Sequence, residues 1–552
     1  MIRALVLLLA VATTACSGSS SPEPSAGGGT FPVSTALDGN AGDTSAPSTL
    51  ASAGPTCWTG EASSGGGIVF GDVTETLGLI APFTGMHGHA AIWTDSNGDD
   101  QPDLYVGTFA DRENEIYQER GASGPSPDRL TLGSSDGYQA DTSLPEAFTR
   151  SAGGITADLD DDGDLDLVVS RNIKDSALGL TPTMVLENTG GVYAEVAGSG
   201  LPVEFGGRAV GALDFDGDGL MDLFIAEDRF TGGSSRLFHN QGGLVFTDVT
   251  FEQGIPGDVH GLGVATSDLD GDRLIDIFVA GSNRLFFGEE DGGFTEGDSA
   301  VFEWEVYGAE DDVSGVSVSD VNRDGLVDVA LGHHYNSTLE FDEMVPVRLY
   351  LNEGDRSFRD VTEESGLTPL PTKAPHVELN DYDNDGLVDL LTSASADAGP
   401  AIFRNSGLEG GVPRFDEPAG LGDAQYWVAA PSVDFDRDGL LDVFLLEWEP
   451  ALPSLLLHNQ GGEGNWLEVS VDAAHDFGIG WRVEVRQGDA LMGARDITVT
   501  QGYSAGVLPR AHFGVGETSE VDLRLIPPNG AEPVDLAAVP VNQHLRWPEG
   551  CG

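Results

Sequence analysis

The sequence predicts an all-β protein, a seven-bladed β-propeller followed by a small C-terminal β-domain, and three observations predict it. One acidic pattern, Asp-x-Asp/Asn-x-Asp-Gly-x-x-Asp followed by an apolar residue, occurs seven times, starting at Asp95, Asp158, Asp214, Asp268, Asp320, Asp381 and Asp434, so successive starts lie 63, 56, 54, 52, 61 and 53 residues apart. Within each period an apolar run such as Leu223-Phe224-Ile225-Ala226 is followed by a run ending in Asn-x-Gly or a relative, as in Leu237 to Gly243 and Leu349 to Asp355. An aromatic residue then leads into Asp-Val-Thr, as in Phe246 to Thr250 and Phe358 to Thr362. About four short β-branched and aromatic strands per period, separated by Gly/Asn/Asp turns and without helical periodicity, are how a radial array of sheets reads in sequence.

At the N-terminus, Met1-Ile2-Arg3, an apolar run from Ala4 to Ala12 and Thr13-Thr14-Ala15-Cys16 form a basic, hydrophobic and small-residue series. This is an export signal, too short to span a bilayer. Cys16 directly after small residues resembles a bacterial lipobox, with Thr13 where that motif usually has leucine. Residues 1–16 are read as a lipoprotein-type signal with Cys16 lipidated; the alternative is ordinary cleavage nearby. Residues 17–67, a Ser/Gly/Pro-rich stretch, read as a flexible tether. The two remaining cysteines, Cys57 and Cys551, flank the folded region and are expected to pair in an oxidising compartment, the alternative being two unpaired thiols.

Residues 68–463 form the repeat array and 464–552 the C-terminal domain. Phe70 to Thr74 precedes the first acidic loop without its own Asn-x-Gly strand, whereas the seventh loop has Leu455 to Gly462 but no Asp-Val-Thr segment after it. The N-terminal segment is therefore expected to close the ring as a strand of the seventh blade, removing the open sheet edges; an open solenoid is the alternative.

Of the 552 residues, 91 are acidic and 26 basic, a formal charge of -65 and a pI near 4.1. Such a surface repels phosphate backbones and anionic headgroups, so nucleic acid is excluded as a partner and multivalent cations are favoured. Four carboxylates in a nine-residue turn repel strongly, by roughly 4 kcal/mol for a pair about 4.5 Å apart at an effective dielectric of 20. Oxygen donors at alternate positions suit a hard, flexibly coordinated ion, and calcium fits better than magnesium. The expected ligands are Asp95, Asn97, Asp99 and Asp103; Asp158, Asp160, Asp162 and Asp166; Asp214, Asp216, Asp218 and Asp222; Asp268, Asp270, Asp272 and Asp276; Asp320, Asn322, Asp324 and Asp328; Asp381, Asp383, Asp385 and Asp389; and Asp434, Asp436, Asp438 and Asp442. These positions 1, 3, 5 and 9, with the carbonyl at 7, would hold up to seven Ca2+, glycine at position 6 supplying the sharp turn. Asp100 and Arg273 replace that glycine, and these loops are expected to bind more weakly. An EF-hand is excluded because position 12 is apolar or Thr392 and belongs to a strand. Seven calcium ions would still leave -51 of the formal -65, so calcium accounts for only part of the charge.

Loops of this type between short strands resemble the calcium loops of α-integrin FG-GAP repeats and of bacterial VCBS repeats, over roughly Ile68 to Gly462. The tail, with Asn465 to Val469, Gly478 to Val483 and His512 to Gly516, is similar to the ASPIC/UnbV domain that follows such repeats in the cartilage acidic protein family. One departure is Ile526-Pro527-Pro528-Asn529-Gly530, where the family usually has Trp-Pro-Asp/Asn-Gly.

No nucleophile constellation and no phosphate loop can be assembled from local motifs, so enzymatic chemistry has no direct support. One group keeps it open. His87, His89, Arg150, Arg208, His260, Asp312, His376 and Tyr426-Trp427 stand just before the acidic loops, where innermost strands begin. They are expected either to converge at a channel mouth, as a site for a metal or an anionic sugar, or to be scattered polar positions lining a wet channel. The resemblance implies a calcium-binding lipoprotein of the bacterial cell envelope, or a secreted protein. It would act as a rigid platform for adhesion or for recognising an extracellular protein or glycan, touching membrane through its lipid anchor only. The alternative is an envelope enzyme acting on polysaccharide through the channel.

Overall fold

The computed structural model describes residues 56–146, 148–172, 183–203, 205–229, 232–303, 312–334, 347–370, 373–394, 398–472 and 476–548. The export signal with Cys16, most of the expected tether, and Cys551 lie outside them. The fold is all-β.

Every acidic loop is the connection between the first two strands of an antiparallel sheet. The third repeat is representative: strands Gly207–Leu213, Asp222–Glu227, Arg236–Asn240 and Phe246–Asp248 lie in sequence order, and the loop from Asp214 joins the first pair. Six further sheets follow this plan. The sixth adds a hairpin of Asn405–Glu409 and Val412–Phe415, and the seventh takes its outer strand, Phe70–Asp72, from the N-terminal side, as expected. That strand pairs with Leu455–Asn459, opposing Phe70 to Asn459 and Asp72 to Leu457.

The first strands, such as Ser151–Ala157 and Gly261–Ser267, are buried along their whole length because neighbours press on both sides. Small residues are needed there. A side chain at Gly153 or Gly263 would run into the carbonyl of Arg208 or Ser314 on the adjacent sheet. Between sheets lies apolar packing: the second and third share Ile155, Val168, Val210 and Phe238. The seventh and the first share a cluster too, where Phe444, Leu446 and Leu456 meet Trp93, Leu104 and Val106, and the Trp93 indole N–H donates to the Pro431 carbonyl (3.1 Å).

The C-terminal residues form two four-stranded sheets facing each other across Leu467, Val469, Trp481, Val483, Leu523 and Leu545. One of these sheets corrects the sequence reading. Thr56–Thr59, expected to be tether, is an edge strand paired antiparallel with Gln543–Trp547. Cys57 on that strand is disulfide-bonded, and its expected partner Cys551 lies outside the described residues.

Candidate functional site

The seven acidic loops share one hydrogen-bond scheme. The carboxylate at position 1 accepts the N–H of position 6, from 2.7 Å at Asp381–Gly386 to 3.1 Å at Asp214–Gly219 and Asp268–Arg273. Position 5 accepts the N–H of position 7, as in Asp218–Leu220 (2.9 Å). Position 9 is fully buried and uses both oxygens: Asp222 accepts the N–H of Phe215 at 3.3 Å and that of Asn240 at 2.7 Å, and Asp442 repeats this with Phe435 and Asn459.

Glycine at position 6 is less necessary than the sequence suggested. Asp100 and Arg273 adopt φ of 65° and 73° there, held by the position-1 carboxylate. Position 4 is also left-handed, with φ of 65° at Asp161, 62° at Arg323 and 64° at Arg437, which sequence reading missed because its residue type varies.

These loops are fit to hold a metal ion. One oxygen from each of positions 1, 3 and 9 comes within 4.8 Å of the others in Asp158–Asp160–Asp166, Asp214–Asp216–Asp222 and Asp268–Asp270–Asp276. Asp160 Oδ1 and Asp381 Oδ1 are buried without a hydrogen-bond partner among the described residues. Burial pushes Asp158 up to about 6, Asp268 to about 7, and Asp166 and Asp222 to about 8, the penalty for confining negative charge in a poorly hydrated turn. A divalent ion would offset that penalty, with oxygen ligands and no committed geometry.

Arginine and histidine side chains reach the outer edge of four loops, which sequence reading also missed. Arg404 contacts Asp383 and Asp385, and Arg356 contacts Asp270 (2.6 Å). His239 lies at Asp216 (3.2 Å) and His458 at Asp436 (3.1 Å). His239, Arg404 and His458 each directly precede the asparagine of Asn-x-Gly, a spacing that could have revealed them.

At the centre the structure brings together His87, His89, Arg150 and Arg208. His89 stacks on Phe109 (4.0 Å), its Nδ1 is 2.9 Å from the Ala152 carbonyl, and its Nε2 is 3.4 Å from Arg208 Nη1. Arg208 pairs with Asp228 (2.6 Å), and the Arg150 guanidinium lies 4.3 Å from the Phe109 ring centre. His87 is 4.0 Å from the Trp448 ring, and neither of its ring nitrogens has a hydrogen-bond partner among the described residues. Burial, with Arg112, Arg120 and Arg150, pushes His87 down to about 2, and burial with Arg208 lowers His89 strongly, so both imidazoles are neutral. Among the described residues no contact joins His260 to this group. Trp427 is a core residue whose indole N–H donates to the Asp423 carbonyl (3.0 Å), and the Asp312 side chain lies outside the described residues.

The expectation of a wet channel fails here. A segment of the C-terminal domain, residues 501–506, fills the space between the first strands. Ala505–Gly506 pairs parallel with Ala91 and Ile92, and Gly502 exchanges backbone hydrogen bonds with Val316. The Tyr503 N–H donates to His376 Nδ1 (3.2 Å), its hydroxyl lies 3.2 Å from His89 Nε2, and its ring packs on Leu262 and Val428. His376 thus meets the central group through Tyr503.

The chain carries FG-GAP-like repeats and, after them, an ASPIC and UnbV domain. Repeats match over 214–279, 268–331, 320–392 and 381–445, and the ASPIC and UnbV model over 472–550. The chain is similar to cartilage acidic protein 1 of Xenopus tropicalis, 29% identical over 360 residues covering 60% of this chain and 53% of the relative. The Homo sapiens protein is 29% identical over 358 residues, covering 59% and 51%. The chain spans about half the length of the curated relatives it matches. Among solved structures, an Agrocybe aegerita lectin specific for non-reducing terminal N-acetylglucosamine aligns with 14% identity and a TM-score of 0.35, over 72% of this chain and 94% of that one.

Proposed function

We propose that the seven sheets close into a seven-bladed propeller whose acidic loops bind calcium. In this reading the protein works outside the cytoplasm, lipid-anchored through Cys16 or secreted, as a rigid platform for adhesion or for recognising a protein or glycan. The observation that carries it is the loop scheme: seven turns present oxygen donors alone at positions 1, 3 and 9, on a backbone held by the same hydrogen bonds. The apolar cluster shared by the seventh and first sheets supports closure. Against catalysis through the centre stands the 501–506 segment, which occupies the space between the first strands.

Ligands that bind only the folded state stabilise it by mass action, and sites of this kind work at roughly 0.1 to 1 mM calcium. Millimolar calcium should therefore raise the melting temperature of the full chain and a chelator should lower it. Identical melting curves in calcium and in excess chelator would sink the calcium reading.

A further inference from the structure

Two acidic loops carry a feature the other five lack. In the third and seventh repeats the residue before the Asn-x-Gly asparagine is histidine, His239 and His458, and position 2 of the loop is phenylalanine, Phe215 and Phe435. The two features occur together in the same two repeats and in no other. The corresponding residues elsewhere are Leu132, Glu187, Phe287, Leu351 and Arg404 before the asparagine or its replacement, and Ser96, Leu159, Leu269, Val321 and Tyr382 at position 2.

The local geometry is the same in both. Each imidazole stands edge-on against its phenylalanine, at 5.6 Å in both repeats and at 75° for Phe215–His239 and 69° for Phe435–His458. That packing aims Nε2 at the outer oxygens of two carboxylates. His239 Nε2 is 3.2 Å from Asp216 Oδ2 and 3.5 Å from Asp218 Oδ2, and His458 Nε2 is 3.1 Å from Asp436 Oδ2 and 3.5 Å from Asp438 Oδ2. The His239 Nδ1 lies 2.8 Å from the Gln241 side-chain amide nitrogen, and with that amide turned over its oxygen would accept the Nδ1–H of a ring ligating through Nε2. The inner oxygens remain with the loop: Asp218 Oδ1 accepts the Leu220 N–H and Asp438 Oδ1 the Leu440 N–H, both at 2.9 Å.

We propose that Asp216–Asp218–His239 and Asp436–Asp438–His458 are two equivalent outer sites for a divalent transition metal of borderline softness, such as zinc or cobalt, distinct from the inner all-oxygen positions. One nitrogen and two carboxylate oxygens supply three ligands, and water completes the shell. Donors about 2.0 to 2.2 Å from a tetrahedral ion lie roughly 3.3 to 3.6 Å apart, close to the 3.1 to 3.5 Å found between nitrogen and oxygen here. Imidazole beside carboxylate selects this class of metal over calcium. The sixth repeat shows that the outer position accepts positive charge: Arg404 makes the same two contacts, to Asp383 and Asp385. There a guanidinium, which cannot ligate a metal, occupies the place that histidine holds in the third and seventh repeats.

The proposal stands on these two clusters and not on the calcium reading. Its test is a cobalt(II) titration of the full chain, followed by calorimetry and by the visible absorption of the bound ion, run in saturating calcium and again without calcium. In saturating calcium the parent should bind two cobalt ions, and with or without calcium His239→Arg and His458→Arg should each remove one. Loss of a residue that only orients a metal ligand costs roughly 10- to 100-fold in affinity, and loss of the ligand itself should cost at least as much. Arginine is the replacement of choice because the sixth loop already folds with it, and an unchanged melting curve in the absence of cobalt verifies the fold of each variant. No cobalt binding by the parent, or equal binding by the parent and the double variant, overturns the proposal. Histidine-dependent cobalt binding without any effect of calcium on melting would support these sites while removing the calcium reading.

Discussion

The side-chain amide of Asn240 donates to the carbonyl of Leu159, 2.8 Å away in the acidic loop of the preceding sheet, and to Met221 (3.0 Å) in the loop of its own. Asn188, Asn352 and Asn459 repeat the link to Ser96, Leu269 and Tyr382. The asparagine of Asn-x-Gly is therefore a staple between successive sheets. Replacing it by alanine strands two buried carbonyls, at about 1 to 3 kcal/mol. We expect Asn240→Ala and Asn459→Ala each to lower stability by that amount in chemical denaturation, while Gln241→Ala, which changes an exposed side chain of the same turn, does little. Equal effects at Asn240 and Gln241 would remove the staple.

That asparagine shows what the sequence could and could not reveal. Its recurrence was plain, and with the acidic pattern it located the strands, the loops and the N-terminal strand that pairs into the seventh sheet. Its role was hidden, because the carbonyl it serves lies 81 residues upstream in the case of Leu159. The same holds for Thr56–Thr59, whose partner strand Gln543–Trp547 lies at the other end of the chain, and for Tyr503, which reaches His89 from 414 residues away. Composition read the former as tether and left the latter in an unremarked turn. Local periodicity reports which face of a strand is apolar and says nothing of which distant segment covers it.

The raised carboxyl groups of the loops set the sign of a pH effect. Asp158 titrates at about 6, Asp268 at about 7, and Asp166 and Asp222 at about 8, each above the usual aspartate range because of burial. Between about pH 4 and 8 the folded, metal-free protein holds protons that the unfolded chain has released, so its stability falls as pH rises through that window. Calcium would replace those protons. The calcium-induced rise in melting temperature should therefore widen from pH 5 to pH 8, and a metal-free melting temperature that climbs over this range contradicts the assignment.

The strand Phe70–Asp72 completes the seventh sheet, and Thr74 adds a hydroxyl that accepts the Leu456 N–H (2.8 Å). Ile68 and Phe70 pack against the apolar cluster that contains Tyr382, Val443 and Leu457. Deleting residues 68–76 should lower the melting temperature of the whole repeat region and promote association through the exposed edge. A truncated protein that melts like the parent would show that this strand contributes no stability.

The central segment allows a test in which backbone strain and packing are separated. Gly502 has φ of 63°, and a β-carbon there would lie 2.6 Å from both His376 Cε1 and the Val377 carbonyl oxygen. Gly488, in a surface turn of the same domain, has φ of 61° and nothing within 4 Å of such a carbon. Alanine at either position incurs the left-handed backbone cost, about 1 to 2 kcal/mol. Only at 502 must it also displace His376 or withdraw the segment that holds Tyr503 against His89. Gly488→Ala should therefore lose about 1 to 2 kcal/mol with no change in protease resistance. Gly502→Ala should lose more, and should expose the C-terminal domain to proteolysis as residues 501–506 leave the first strands. Equal losses and equal protease resistance would mean that this segment does not hold the two domains together.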